Sequence, residues 1–417
     1  MYLKQRLIAM NFLQFFIWGS WLISIGRFWF DFKGWSSSEF GIIFSTMGIA
    51  SLFMPAIAGI IADRWVNAEK LYGLFHLCGA VVLFILPNIT NPVTFFWIML
   101  LNMVFYMPTL ALGITVCYSS MKKSGLDIVK DYPPIRVFGT IGFIVALWTI
   151  NILHWGATPN QFYLASASAL VLGIYAFTMP SCPPLGKGHQ KTFVSALGLN
   201  AFKLFKSYKM AMFFIFSMLL GAALQLTNAY GDTFISDFSK NPAYQDAWAV
   251  KYSEIIMSIS QISETLFILA IPFFLRRFGI KKVMLMSMVA WVLRFGLFGL
   301  GNPTDGLWMI ILSCIIYGMA FDFFNISGSI YVETQSEPKI RASAQGLFMM
   351  MTNGVGAVAG SLISGYIIQH YFMPDGVNKD WPGIWFTFAA YALIVAILFA
   401  ILFKHKHDRK ALENVHH

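Results

Sequence analysis

The chain has 417 residues, of which 58% are apolar and 12% charged. A water-soluble domain carries roughly twice that share of charge, so the composition excludes a soluble globular protein. The formal charge of +10 does not mark a nucleic-acid surface, because the basic residues follow the pattern that sets membrane topology.

The apolar residues fall in segments about 20 residues long with short polar breaks between them, the length of a helix that crosses hydrocarbon. The short alternating segments of a β-barrel are absent. The pattern predicts an all-α membrane protein with twelve transmembrane helices, near 7–27, 38–62, 71–90, 95–118, 134–153, 160–180, 209–231, 252–275, 282–301, 307–329, 343–370 and 384–403. The first apolar run, Leu7 to Ile25, is too long and too aromatic for a cleavable signal peptide and lacks a small-residue cleavage site. With the N-terminus inside, the cytoplasmic segments hold 22 Lys and Arg and the outer ones hold five: Arg27, Lys33, Lys240, Lys251 and Lys379. Arg136 and Arg294 fall within spans. That asymmetry predicts both termini in the cytoplasm of a multi-pass inner-membrane protein.

The chain reads as an N-terminal six-helix bundle (1–180), a cytoplasmic linker (181–208), a C-terminal six-helix bundle (209–404) and a tail (405–417). The linker holds SCPPLGKGHQK and then TFVSALGLNAFKLFK, a candidate amphipathic helix. Two six-span halves around a basic linker outline the major facilitator fold, with a central cavity between the bundles. Between spans two and three, GIIADRWVNAEK is similar to the Gly-x-x-x-Asp-Arg loop of that superfamily, with Trp65-Val66-Asn67 in place of the usual Gly-Arg. Two readings stand for Asp63 and Arg64: a conformational latch, or a loop that obeys the positive-inside rule. The second half keeps a basic counterpart in FLRRFGIKKVM. Cys78, Cys117, Cys182 and Cys314 are scattered without metal or redox spacing and read as free thiols. No cofactor or metal is implied.

An ionisable side chain at a helix centre costs about 3 kcal/mol on insertion scales, so it persists for function or as a structural pair. Gln261 and Glu264 share a face of span eight, as Gln225 and Asn228 do on span seven. On span ten, Tyr317 and Phe321 lie one turn apart, and Asp322 and Asn325 likewise. Arg136, Thr140 and Phe143 follow an i, i+4, i+7 pattern on span five. Amides, a carboxylate and aromatic rings together suit a neutral, flat, polyhydroxylated solute. Each element also has a plain structural reading. Polar pairs such as Gln225 and Asn228 glue helices together, Arg136 after Pro133-Pro134 can snorkel, and His76 reads as a structural histidine. Arg294 is assigned no role. Carboxylates withdrawn from water bind protons more readily, which suits Glu264 and Asp322 to proton coupling. Asp322, wedged between Phe321 and Phe323, is assigned the proton, and Glu264, beside an amide, the substrate.

At these residues the chain resembles the bacterial nucleoside:proton symporters of the major facilitator superfamily. The likeness runs over nearly the whole length and includes FLQFFIWGSWL, GIASLFMPAIAGIIADRW, PPIRVFGTIGF, SISQISETLFILAIPFFLRRFGIKK and YGMAFDFFNISGS. It implies proton-coupled uptake of nucleosides, with nucleoside contacts from Arg136, Thr140, Phe143, Gln225, Asn228, Gln261, Glu264, Tyr317 and Phe321, and proton coupling at Asp322. By analogy with the superfamily the carrier is expected to be monomeric, in contact with nucleosides, protons and lipid and with no nucleic acid. The rival readings are a carrier of a sugar or drug, a polytopic enzyme, and a passive channel. The enzyme reading is disfavoured because the deep acids are single and on separate helices rather than clustered near an interface.

Overall fold

The computed structural model describes residues 2–184, 199–337, 340–373 and 378–405, and the regular elements among them are all helical. The chain divides into two compact units, Met1–Leu197 and Gly198–His417. Nine helical stretches among the described residues are long and apolar enough to cross a membrane.

The N-terminal unit contains α1 (Tyr2–Gly19), α2 (Ser37–Arg64), α3 (Ala68–Ile85), α4 (Pro92–Lys123), α5 (Ile128–Ile152) and α6 (Asn160–Ala176). Local chemistry sets their ends. Ser36 and Glu39 form a reciprocal capping box at the start of α2, satisfying two backbone donors that the helix geometry strands. Asn91 Oδ1 accepts from the amides of Val93 (2.8 Å) and Thr94 (3.2 Å) ahead of α4. Two boundaries differ most from the sequence reading. The first predicted span stops at Gly19, where Ser20 Oγ donates to the Phe16 carbonyl (2.7 Å) and competes with the helical ladder; the chain turns before resuming at Ile25–Arg27. The fifth begins six residues early, because Asp127 Oδ1 accepts from the Lys130 amide (3.3 Å), a better start signal than the proline pair inside the helix. There α1 packs on α5 across Gly142, whose missing Cβ leaves room for the Phe12 carbonyl.

The C-terminal unit contains α7 (Tyr208–Asp237), α8 (Ser253–Leu300), α9 (Leu307–Gln335), α10 (Arg341–Met349), a π-helical stretch Met350–Gly356, α11 (Ala357–Tyr371) and α12 (Trp381–Leu402). Within the 48 residues of α8, Gly279 takes φ +77° and ψ 166° and divides the helix into two arms; positive φ is readily open to glycine. The candidate amphipathic helix at 192–206 is described only from Leu199, and Leu199–Lys206 is a 3-10 helix. Phe202 and Phe205 stack at 5.7 Å, and a three-residue spacing matches the eclipsed rows of that helix type. Residues 185–198 of the predicted linker and 406–417 of the predicted tail lie outside the described residues.

Outward faces in both units are apolar, with Phe84 61% exposed in the N-terminal unit and Leu269 76% exposed in the C-terminal one, as a lipid-facing surface requires. Inside, small residues let backbones touch. A Cβ on Gly221 of α7 would fall on the Thr352 carbonyl, whereas one on Gly296 of α8 would meet nothing within 4 Å. Gly221→Ala is therefore expected to destabilise the detergent-solubilised protein by about 1–3 kcal/mol through overpacking. Gly296→Ala should hold or raise stability by about 0.4–1 kcal/mol. Thermal unfolding of the two variants side by side checks this, and equal midpoints would contradict the packing described.

Candidate solute and proton site

In the N-terminal unit the three predicted residues lie along one continuous helix, α5. The Arg136 guanidinium carbon sits 4.0 Å over the ring of Phe15 from α1, a cation–π contact. Arg136 is half-buried and within electrostatic range of Tyr106 and Cys117, both buried on α4. Thr140 is half-buried, and Phe143 is buried where Gly19 of α1 meets its backbone.

Behind these residues lies a closed polar network that the sequence reading did not assemble. Gln14 Oε1 accepts from the Tyr72 hydroxyl (2.6 Å) and is bonded to His76 Nε2 (2.8 Å). A carbonyl oxygen only accepts, so that histidine nitrogen carries the hydrogen. Gln14 Nε2 donates to Thr109 Oγ1 (2.9 Å), and the Tyr106 hydroxyl donates to the Gln14 carbonyl (2.8 Å). Three helices are joined without a formal charge. His76 is thereby a bonded structural residue, and the signal for its partner was the lone glutamine in the first span.

The C-terminal unit gathers the remaining candidates around the α8–α9 seam. Gly318 of α9 lacks the Cβ that would strike the backbone of Ser263 and Glu264. Ser263 Oγ donates to the Ile315 carbonyl, and Ser287 Oγ to that of Ala320, so both arms of α8 are pinned to α9. That seam brings Glu264 within electrostatic range of Tyr317 and Asp322. The Tyr317 and Phe321 rings stack with centroids 5.9 Å apart and planes at 7°. Asp322 is 4% exposed, and its Oδ2 has no hydrogen-bond partner among the described residues. On α7, Gln225 is buried with Oε1 likewise unbonded, and Asn228 is half-buried. Gln261 is half-buried one turn before Glu264. Asn325, read as a partner in the stripe, instead donates to the Phe321 carbonyl of its own helix (3.2 Å). A narrow recess opens between Leu224, Trp291, Phe321, Asn325 and Thr352, beside the π-helical turn; such wide turns recur at functional sites.

Asp63 and Arg64 close α2, both half-buried. The neighbouring Glu69, not singled out from sequence, is buried and accepts from the Cys182 amide (2.7 Å) and Asn67 Nδ2 (3.1 Å). Together with Lys123, which donates to the Ser181 carbonyl, it fastens the first residues after the N-terminal helices. Burial pushes the Cys182 thiol up, which keeps it protonated and unreactive.

A model of the nucleoside H+ symporter family matches residues 1–408. The chain is 51% identical to the xanthosine permease of Escherichia coli (strain K12), over 99% of both chains. It is 47% identical to the nucleoside permease NupG of the same organism, over 98% of both. Its structure matches the crystal structure of the nucleoside transporter NupG at a TM-score of 0.92, covering 97% of this chain and 100% of that one at 47% identity. A bacterial homologue of the human lysosomal transporter Spinster, 10% identical, shares the fold alone at a TM-score of 0.71, over 99% of this chain and 98% of that one. Two helical units with charged and amide groups held deep in apolar helices define a membrane transporter of the major facilitator fold. The chain belongs to the nucleoside H+ symporter family: it is a carrier, not an enzyme, and takes up nucleosides together with protons.

Gln14→Met removes the acceptor shared by Tyr72 and His76 and should cost about 1–3 kcal/mol of stability, since buried donors are left unpaired. A thermal midpoint unchanged from wild type would show that the network carries no such weight.

Proposed function

We propose that Asp322 is the proton carrier and that Glu264 grips the solute, with the whole protein working by alternating access in the bacterial inner membrane. The observation that carries this reading is the burial of Asp322 beside the Tyr317–Phe321 stack and within electrostatic range of Glu264. Two carboxylates that sense each other resist simultaneous ionisation, so the proton on one is linked to what the other binds.

In this scheme ribose hydroxyls bond to Glu264, Gln261, Gln225 and Asn228, groups with donor and acceptor capacity to match. The flat base stacks on Phe321 or Phe143, and Tyr317 extends the aromatic face. Arg136, steadied over Phe15, presents donors to a base carbonyl, and Thr140 adds a hydroxyl one turn on. Protonation of Asp322 from outside removes a charge from the interior and permits the loaded carrier to reorient. Release of that proton inside resets it. Asp63 and Arg64 serve as a latch at the cytoplasmic end of α2. The twelve-span count, both termini inside and a monomeric carrier in lipid complete the proposal, supported by the charge asymmetry along the chain. The names of the relatives support purine nucleosides such as xanthosine within the substrate range.

Two variants test the assignments in proteoliposomes with tritiated uridine. Glu264→Gln should raise the KM about 10- to 100-fold, the worth of a hydrogen bond to a charged group. Asp322→Asn should still bind uridine but no longer accumulate it on an imposed proton gradient, with no accompanying alkalinisation outside. Proton uptake that stays tied to uridine uptake in Asp322→Asn would refute the coupling role.

A further inference from the structure

Arg294, on the second arm of α8, is fully buried and does not enter the scheme above. Among the described residues its guanidinium bonds to neutral groups: Nε donates to Thr227 Oγ1 of α7 (3.2 Å), and Nη1 to the Ser313 carbonyl of α9 (2.7 Å) and to Ser260 Oγ on the first arm of α8 (3.5 Å), with the Cys314 thiol of α9 alongside. Nη2 has no acceptor among the described residues. Rings of Phe298 and Tyr317 lie 4.9 and 4.7 Å from the guanidinium carbon. A buried cation of this kind is costly unless a negative charge offsets it for part of the time.

Negative charge lies one side chain further out, beyond Tyr317. Tyr317, against which Arg294 rests, is within electrostatic range of both Glu264 and Asp322. Ser260, which Arg294 touches, stands one helical turn before Glu264 on the same face of α8. Among the described residues the ionisable groups that act directly on Arg294 are Cys314 and Tyr317 of α9, so the two carboxylates reach it across the Tyr317 side chain; its contact from α7 is the uncharged Thr227.

The demand for this cation changes through the transport cycle. In the loaded carrier Asp322 holds a proton and the solute hydroxyls bond to Glu264. In the empty carrier returning for another load, both carboxylates are bare, and two anions must cross a closed, water-poor state together. We propose that Arg294 is the fixed internal counter-ion that allows the empty, deprotonated carrier to reorient. It is a positioning residue that touches neither solute nor proton. The inference rests on the assignments of Glu264 and Asp322 made above.

Net uptake requires the empty return step, whereas exchange of labelled for unlabelled solute does not. Purified Arg294→Met in proteoliposomes should therefore lose at least about tenfold in proton-driven net uptake of tritiated uridine, the effect of uncovering a buried charge. Its uridine–uridine exchange at equal pH should stay within about twofold of wild type, since exchange carries only the loaded carrier through the closed state. Arg294→Lys, which keeps the charge, should recover most of the net uptake. Arg294→Gln, which drops the charge but keeps polar contacts, replaces the methionine variant if that one does not fold. Parallel loss of uptake and exchange in a monodisperse charge-removing variant would overturn the proposal in favour of a packing role, as would undiminished net uptake. Failure of the wild-type protein to accumulate uridine on a proton gradient would instead overturn the assignments on which the proposal rests.

Discussion

Hydrocarbon offers no hydrogen-bond partners, so each polar group carried into it must find one within the protein or face water. In the C-terminal unit this constraint is concentrated at one seam. Gly318 lets α9 lie against the backbone of Ser263 and Glu264, and serines on both arms of α8 bond to carbonyls of α9. The close approach sets two carboxylates within range of Tyr317 of the stacked pair, with a buried arginine resting on that same ring. A side chain at position 318 would push the helices apart and separate them.

The two units meet the same constraint by different means. In the N-terminal unit the polar groups around Gln14 close on themselves through neutral bonds, Arg136 rests on an aromatic face, and the buried groups unbonded among the described residues include the neutral Trp18 Nε1 and Ser120 Oγ. The C-terminal unit instead holds charges of both signs with donor or acceptor capacity unspent at Arg294, Asp322 and Gln225. Satisfied networks rigidify a core, whereas unspent groups in low dielectric carry a large free energy. That difference matches the proposed division of labour, in which proton handling belongs to the second unit.

Much of this was legible in the sequence because length and charge asymmetry are strong signals in membrane proteins. The helical character and the shared stripes on α8 and α9 follow from spacing alone, and the Tyr317–Phe321 stack realises a one-turn separation. What escaped depends on contacts between distant segments. Arg294 could not be interpreted without Thr227, Ser260 and Ser313, which come from three helical segments. The Phe15 beneath Arg136 was one of several phenylalanines in its span. The early start of α5 was hidden because Pro133-Pro134 looked like a stronger boundary than Asp127, and the π-helical turn at Met350–Gly356 leaves the apolar pattern of its span unbroken.

The pinning of both arms of α8 to α9 also bears on how coupling is transmitted. Glu264 and Asp322 ride on neighbouring pieces of one body, joined on either side of the Gly279 bend. Their separation therefore changes little while that body rocks. In the proposed scheme, information passes from proton to cargo over a single local field, without a lever or relay reaching across the molecule.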